Sequence, residues 1–290
     1  PWGLTMGLSY GIIIKCLDGG RRHGNVKTIA PRGGQRLVSK EGTIKVGIYS
    51  AFLMAGGGIA ATFSPSVAQH YSSWQAGLGV WLILPVFALL MWWFRPAEAT
   101  ETKQGNGSVN FSKNRRAWLL ASYFGLANAG YACMIAFLPT YARGLGWSAQ
   151  SSGKLIGIMT IFQVIGALGA PVFSASQLDR RPWLWFAVGI QILGFAGLIL
   201  IPESLLLFWA ALIGAGLGAC FSLTLTVALD HLSDPKLAGA LTAFVQGIGF
   251  IITAIVPYLA GALHEWQGGF QIIWVMLILT LTGMLAVTIR

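Results

Sequence analysis

Uncharged polar side chains recur at helical spacing within long apolar stretches of this chain. Tyr123, Asn128 and Tyr131 share one helical face, since positions i, i+5 and i+8 stay within about 140° at 100° per residue. Amide, phenol and hydroxyl groups of this kind can hydrogen-bond a small polar solute. We assign the following residues to a candidate solute pathway: Tyr123, Asn128, Tyr131, Thr160, Gln163, Thr242, Gln246, Ser50 and Met54.

The same polar groups have a purely structural interpretation. Hydroxyl and amide side chains in membrane helices often only bond a neighbouring helix, for roughly 0.6 kcal/mol. We favour that interpretation for Thr224, Thr226, Thr280 and Thr282. Both interpretations stay open for the glutamine, asparagine and tyrosines of the candidate pathway. The apolar segments contain no paired carboxylates, nucleophile–base set or metal-ligand spacing, so we expect no enzyme activity and no cofactor or metal.

Eight long apolar segments must position these side chains. They lie at about 44–68, 75–94, 117–139, 151–175, 183–201, 205–228, 240–263 and 271–289. Each is close to the roughly 20 residues that cross a bilayer as a helix, in which every backbone polar group is satisfied internally. A membrane β-barrel would need shorter, alternating segments. The sequence therefore predicts an all-α membrane protein of about eight transmembrane helices.

Basic residues are concentrated in alternate loops. Of the 19 lysines and arginines, all but Arg143 and Lys154 fall on one side of the predicted membrane. The positive-inside rule makes that side cytoplasmic, and it places both termini there. The net charge of +10 does not indicate nucleic acid, because the charges are spread over membrane-flanking loops. The expected partners are a lipid bilayer and a small-molecule solute.

The polar stripes and loops divide the chain into four regions. Residues 1–43 form a basic N-terminal segment with a possible helix remnant, and 44–94 two helices of a first half. Residues 95–116 read as a cytoplasmic linker, and 117–290 as a six-helix second half. In that half, the segments at 117–139 and 151–175 carry polar stripes, and the next one, 183–201, is almost entirely apolar. The same order recurs at 205–228, 240–263 and 271–289. This period of three is typical of a transporter repeat in which the first two helices line the pathway and the third supports them. Gly214 and Gly218 form a GxxxG pair, as do Gly153 and Gly157, and both pairs predict close helix packing.

Several stretches carry a specific family resemblance. They are YFGLANAGYACMIAFLPTYA (123–142), SAQSSGKLIGIMTIFQVIGALGAP (148–171), DRRP (179–182), ALDHLSDPKLAGALTAFVQGIGFIITAIVP (228–257), VGIYSAFLMAGGGIAA (46–61) and LPVFALLMWWF (84–94). Together they resemble the bacterial cyanate permease and 2-nitroimidazole transporter group of the major facilitator superfamily. The resemblance covers roughly residues 44–290, and residues 15–43 resemble nothing in the family.

This resemblance implies a major-facilitator-type helical bundle in the inner membrane. The eight segments would correspond to helices five to twelve of twelve, without the first four. Asp179, Arg180 and Arg181 would match the superfamily's cytoplasmic loop motif, although the usual glycine is missing and Pro182 follows. The implied function, in the intact form of such a permease, is transport of a cyanate-like anion or nitroimidazole-like heterocycle by alternating access. The alternatives are a non-transporting remnant and an exporter of other small drugs or metabolites.

The distribution of charge within the segments limits where a proton or another ion could bind to drive transport. None of the predicted helices has an acidic residue, arginine or histidine at mid-membrane depth, where a charge costs about 2.5–3.5 kcal/mol. Asp230 ends its segment at the cytoplasmic edge. We interpret Asp230 as a solvated loop carboxylate beside Lys236.

The charge distribution makes a topology prediction. Single cysteines introduced at Ser108 and Ser204 should react with an impermeant thiol reagent from opposite sides of the membrane, because these loops differ in basic content. The measurement is labelling of intact cells against inverted vesicles. Labelling of both positions from one side would contradict the eight-helix topology.

Overall fold

The computed structural model describes residues 40–94, 111–175, 177, 179–232 and 234–289, so the predicted N-terminal segment and most of the linker lie outside the described residues. Within them the chain forms nine α-helices. These are α1 (Lys40–His70), α2 (Trp74–Gly79), α3 (Ile83–Trp93), α4 (Arg115–Gly144), α5 (Ala149–Ser174), α6 (Arg181–Leu200), α7 (Pro202–Asp230), α8 (Pro235–Gln267) and α9 (Gln271–Ile289). The eight predicted apolar segments are all helical. Seven are long and apolar enough to cross a membrane, and α9 has 19 residues.

The second predicted segment is not one regular helix. A 3-10 turn, Val80–Leu82, separates α2 from α3. Pro85 lies in the first turn of α3 and has no N–H to donate to Trp81. Its ring also crowds that carbonyl, so a regular α-helix is disfavoured at this point.

The described residues form two compact units. The smaller comprises residues 63–94. In it the Trp81 indole donates a 2.7 Å hydrogen bond to the Ser64 hydroxyl. Gly77 allows the chain to approach closely, because a Cβ there would lie 2.8 Å from the Ser64 carbonyl oxygen.

The larger unit comprises residues 40–62 and 111–289, and α7 lies at its centre. The predicted close packing at Gly214 and Gly218 is confirmed, because a Cβ at either position would collide with the backbone of Met159 or Gln163 in α5. On another face of α7, a Cβ at Gly216 would lie 2.7 Å from the Ala187 carbonyl oxygen of α6. Glycines therefore bring α7 against two neighbours at backbone distance.

Glycine also sets the contact between α4 and α8. A Cβ at Gly125 would lie 2.6 Å from the Gly249 carbonyl oxygen. Thr253 lies on one helical stripe of α8 with Thr242 and Gln246. Its hydroxyl donates to the Gly125 carbonyl across this contact at 3.0 Å. This end of the polar stripe on α8 is therefore a helix–helix contact.

The first helix packs on α5 through small residues. A Cβ at Gly47 would lie 3.1 Å from the Ala167 carbonyl oxygen, and Gly58 lies directly against Thr160. We expected Gly153 and Gly157 to form a packing pair. Gly157 does face Thr62 of α1, but Gly153 faces open space, so that half of the expectation is wrong.

Three buried hydroxyls on α7 bond the carbonyls of their own helix. Thr224 donates to the Cys220 carbonyl and Thr226 to the Ser222 carbonyl, each at 2.8 Å. Ser222 donates to the Gly218 carbonyl at 3.2 Å. The expected bonds of Thr224 and Thr226 to a neighbouring helix are not found, because both hydroxyls donate to carbonyls one turn earlier in α7.

The glycine contacts of α7 make a stability prediction. Gly218→Ala should destabilise the protein by about 1–3 kcal/mol, because its methyl group would overlap the Gln163 backbone. Thermal unfolding in detergent measures the effect. Gly189→Ala is the matched control, since a Cβ there meets nothing within 4 Å. Equal melting temperatures for the two variants would contradict the packing.

Candidate functional site

The polar face of α4 is buried, and each member has different surroundings. Tyr123 is 8% exposed, and its hydroxyl has no hydrogen-bond partner among the described residues. Asn128 donates to the Phe124 carbonyl of its own helix at 2.7 Å. The Tyr131 hydroxyl reaches α1, where a Cβ at Gly57 would lie 3.1 Å from it. Tyr123 therefore keeps free hydrogen-bonding capacity, and Tyr131 lies at the contact with α1.

The two candidate residues of α5 also differ. Thr160 donates to the Ile156 carbonyl at 2.9 Å and packs against Gly58. Gln163 is 2% exposed, and its Oε1 atom has no partner within the described part of the chain. A buried amide oxygen without a partner is costly, which makes Gln163 a strong candidate for hydrogen bonding to a solute or water.

The candidates of α1 and α8 are mostly satisfied by their own helices. Ser50 donates to the Val46 carbonyl and Thr242 to the Ala238 carbonyl, each at 2.8 Å. Met54 packs in an apolar cluster that includes Phe124. Gln246 is buried in α8 and is the amide among these four candidates.

A buried amide also lies on α6, which we expected to be a plain supporting helix. Gln191 is fully buried and donates to the Ala187 carbonyl at 3.1 Å and to the Cys220 sulfur of α7 at 3.2 Å. Its Oε1 has no partner among the described residues. The signal that could have found it was a single amide in an otherwise apolar helix.

Arg180 of the loop motif is buried at one end of this bundle. It is 5% exposed, and its Nε donates to Asp230 Oδ2 at the end of α7 at 2.7 Å. Its Nη1 donates to the Ser174 hydroxyl at 3.1 Å, and its Nη2 to the Thr43 hydroxyl at 3.5 Å. The guanidinium thus joins α1, α5 and α7.

The interpretation of Asp230 as a solvated carboxylate is wrong. Its side chain is 12% exposed and is paired with Arg180. The other two motif residues have different positions: Asp179 accepts from the Arg181 backbone N–H at 3.0 Å, and the Arg181 side chain is exposed. A buried ion pair with further hydrogen-bond partners meets the conditions under which burial of charge is tolerated.

These surroundings define the chemistry open to the site. Among the described residues, no group of three histidine, cysteine or acidic side chains could hold a metal ion. The interior polar groups are phenols, amides and hydroxyls, and the buried ion pair lies at a helix end. Such groups suit reversible hydrogen bonding of a small solute within a multi-pass membrane bundle.

The membrane-length helices make this a multi-pass membrane protein, and uncharged polar groups between such helices are compatible with a solute transporter. The chain belongs to the Major Facilitator Superfamily, whose sequence model matches residues 36–253. The family predicted from the sequence motifs is therefore confirmed.

Three relatives narrow the similarity. The chain is 38% identical over 281 residues to the cyanate transport protein CynX of Escherichia coli, covering 96% of this chain and 73% of that protein. It is 25% identical over 230 residues to a 2-nitroimidazole transporter of E. coli, with 78% and 58% covered. It is 23% identical over 231 residues to the transporter YycB of Bacillus subtilis, with 77% and 58% covered.

The first of these matches corrects the expected extent of the resemblance. A match over 96% of the chain leaves fewer residues uncovered than the segment 15–43 contains. The similarity therefore extends into a segment that we had expected to resemble nothing in the family. Short sequence motifs did not reveal this similarity, because each is only a local signal.

The buried ion pair makes a stability prediction. Arg180→Gln should lower the free energy of unfolding by about 3 kcal/mol, because it removes the guanidinium that pairs with the largely buried Asp230. Arg181→Gln is the control, since that side chain is exposed and its loss should change stability by less than about 0.5 kcal/mol. Denaturant unfolding in detergent measures both. Equal effects would show that Arg180 is not the paired arginine.

Proposed function

We propose that this chain transports a cyanate-like small anion across a bacterial inner membrane by alternating access. The observation that carries the proposal is the 38% identity, over nearly the whole chain, to a cyanate transport protein. Both termini and the basic loops face the cytoplasm in this proposal, as the positive-inside rule requires.

The interior polar groups support binding of a small anion. An anion that leaves water needs hydrogen-bond donors to replace its hydration. The Tyr123 hydroxyl is buried without a partner among the described residues and is such a donor, and Gln246 carries an amide NH2 group on a buried side chain. They carry no charge, so binding would be reversible and weak enough for release on the other side.

Arg180 has a separate role in this proposal. Thr43 lies in α1, the helix that contains the first of the two segments we assign to the first half, while Ser174 and Asp230 belong to the second half. The contacts of Arg180 with both would hold the cytoplasmic end closed. Release of the Thr43 contact would accompany opening toward the cytoplasm.

A second candidate substrate is a small polar heterocycle. It is favoured by the weaker similarity to a 2-nitroimidazole transporter, and the same phenol and amide groups could bind it. We rank the anion first because the similarity to the cyanate protein is stronger and longer. The comparisons do not favour a non-transporting remnant or an exporter of unrelated drugs.

Uptake by the purified chain in liposomes tests the proposal. Radiolabelled cyanate should enter in a saturable manner, and excess unlabelled cyanate should compete with it. A 2-nitroimidazole is the parallel substrate. Entry of cyanate at the rate of protein-free vesicles, with saturable entry of the heterocycle, would replace the first candidate by the second. Loss of both would contradict transport by this chain.

A pair of variants tests the assignment of the pathway. Gln246→Leu should reduce uptake about tenfold, the effect of losing one hydrogen bond to the solute. Thr282→Val should leave uptake nearly unchanged, because that hydroxyl is exposed on α9 and donates to the Ile278 carbonyl of its own helix. Initial uptake rates at equal protein incorporation measure both. A larger loss in Thr282→Val would place the pathway elsewhere.

A further inference from the structure

The end of the linker is fixed to the helical bundle by aromatic contacts. Phe111 is buried and lies 6.3 Å from the Phe244 ring of α8, and Trp118 meets the same ring edge to face at 5.6 Å. The Trp118 indole donates to the Ser112 carbonyl at 2.8 Å. The Asn114 side chain accepts from the Arg116 backbone N–H at 2.9 Å and begins α4. This segment therefore has one defined conformation.

Three cations lie on that defined segment. Lys113, Arg115 and Arg116 are exposed within four positions, and the sequence has no acidic residue between Glu101 and Asp179. Cations in the first turn of a helix oppose its dipole by about 0.3–1 kcal/mol, so they are not placed there to stabilise α4. The positive potential reaches α7, since burial first and then the Arg116 guanidinium lower the pKa of His231.

The surface next to the cations is apolar and exposed. Trp118 is 43% exposed and Leu119 49% exposed, one turn or less into α4. Trp at this depth is typical of the membrane–water interface. The cations and the apolar side chains thus form one continuous amphipathic surface. We call residues Lys113, Arg115, Arg116, Trp118 and Leu119 the α4 entry surface.

We propose that the α4 entry surface binds the headgroup of an anionic phospholipid, with the lipid phosphate on the arginines and the acyl chains along Trp118 and Leu119. Basic residues beside a membrane helix attract anionic lipids. A free phosphate would use the cations alone and gain nothing from the adjacent apolar side chains. The lipid uses both parts of the surface, and the aromatic contacts fix the backbone segment that carries the cations before the lipid binds.

The test uses the full chain in phosphatidylcholine nanodiscs with a trace of spin-labelled phosphatidylglycerol. Arg115→Gln/Arg116→Gln should weaken association of the labelled lipid by about fivefold per arginine, hence roughly 25-fold. The matched control is Arg143→Gln/Lys154→Gln, which removes the same charge from two exposed residues elsewhere on the chain. The control should bind like the parent. An equal loss of lipid association in both double variants would mean that the lipid responds to the overall positive charge of the protein, and it would overturn the proposed site.

Two further arms separate the remaining outcomes. Leu119→Ala keeps every cation and the anchoring contacts of Trp118, and it should still weaken lipid association. Displacement of the lipid by millimolar inorganic phosphate, together with unchanged association in Leu119→Ala, would indicate a simple anion site and overturn the proposal. If the double arginine variant unfolds, Lys113→Gln can replace it, because Lys113 precedes α4. This variant should weaken lipid association about fivefold. Lipid association is measured without any solute, so its failure is independent of the transport assay.

Discussion

Close backbone approach at α7 is the constraint on which the larger unit depends. Within the hydrocarbon of a bilayer there is no hydrophobic driving force between helices. Their association therefore relies on packing and hydrogen bonds. Gly214 and Gly218 bring α7 to the backbone of α5, and Gly216 brings it to α6. With both neighbours at this distance, Gln163 and Gln191 are held at α7 on its two sides. The positions of these two amides thus follow from the absence of side chains at three glycines of α7.

Charged and uncharged polar groups occupy different levels of this unit. The Arg180–Asp230 pair lies at the ends of helices, where further donors and acceptors complete its hydrogen bonding. The interior holds phenols and amides instead, since a central charge costs several kcal/mol. A solute that crosses such an interior meets groups that bind weakly and release. The strong electrostatic contact is kept for holding helices together at the edge.

The sequence predicted the helices because a bilayer imposes a length and a composition that about 20 residues display together. It also predicted the Gly214/Gly218 contact, a local pattern on one helix. It could not predict the partner of Asp230, because Arg180 lies 50 residues away and only the packed bundle brings them together. Gly153 and Gly157 look equivalent in sequence, yet only one faces a neighbour. Gln191 was visible, but burial against Cys220 depends on the tertiary fold, as does the free oxygen of Gln163.

The hydroxyl bonds of α7 have a mechanical consequence. Ser222, Thr224 and Thr226 each donate to a carbonyl one turn earlier, where the helix's own N–H groups also bond. Shared carbonyls weaken the ladder locally and make a helix easier to bend. The segment from Ser222 to Thr226 lies between the rigid glycine contacts and the anchored Asp230. Bending of α7 is therefore easier in the turn from Ser222 to Thr226 than in a turn without shared carbonyls. An angular change at the anchored end can be absorbed there without separating α7 from α5.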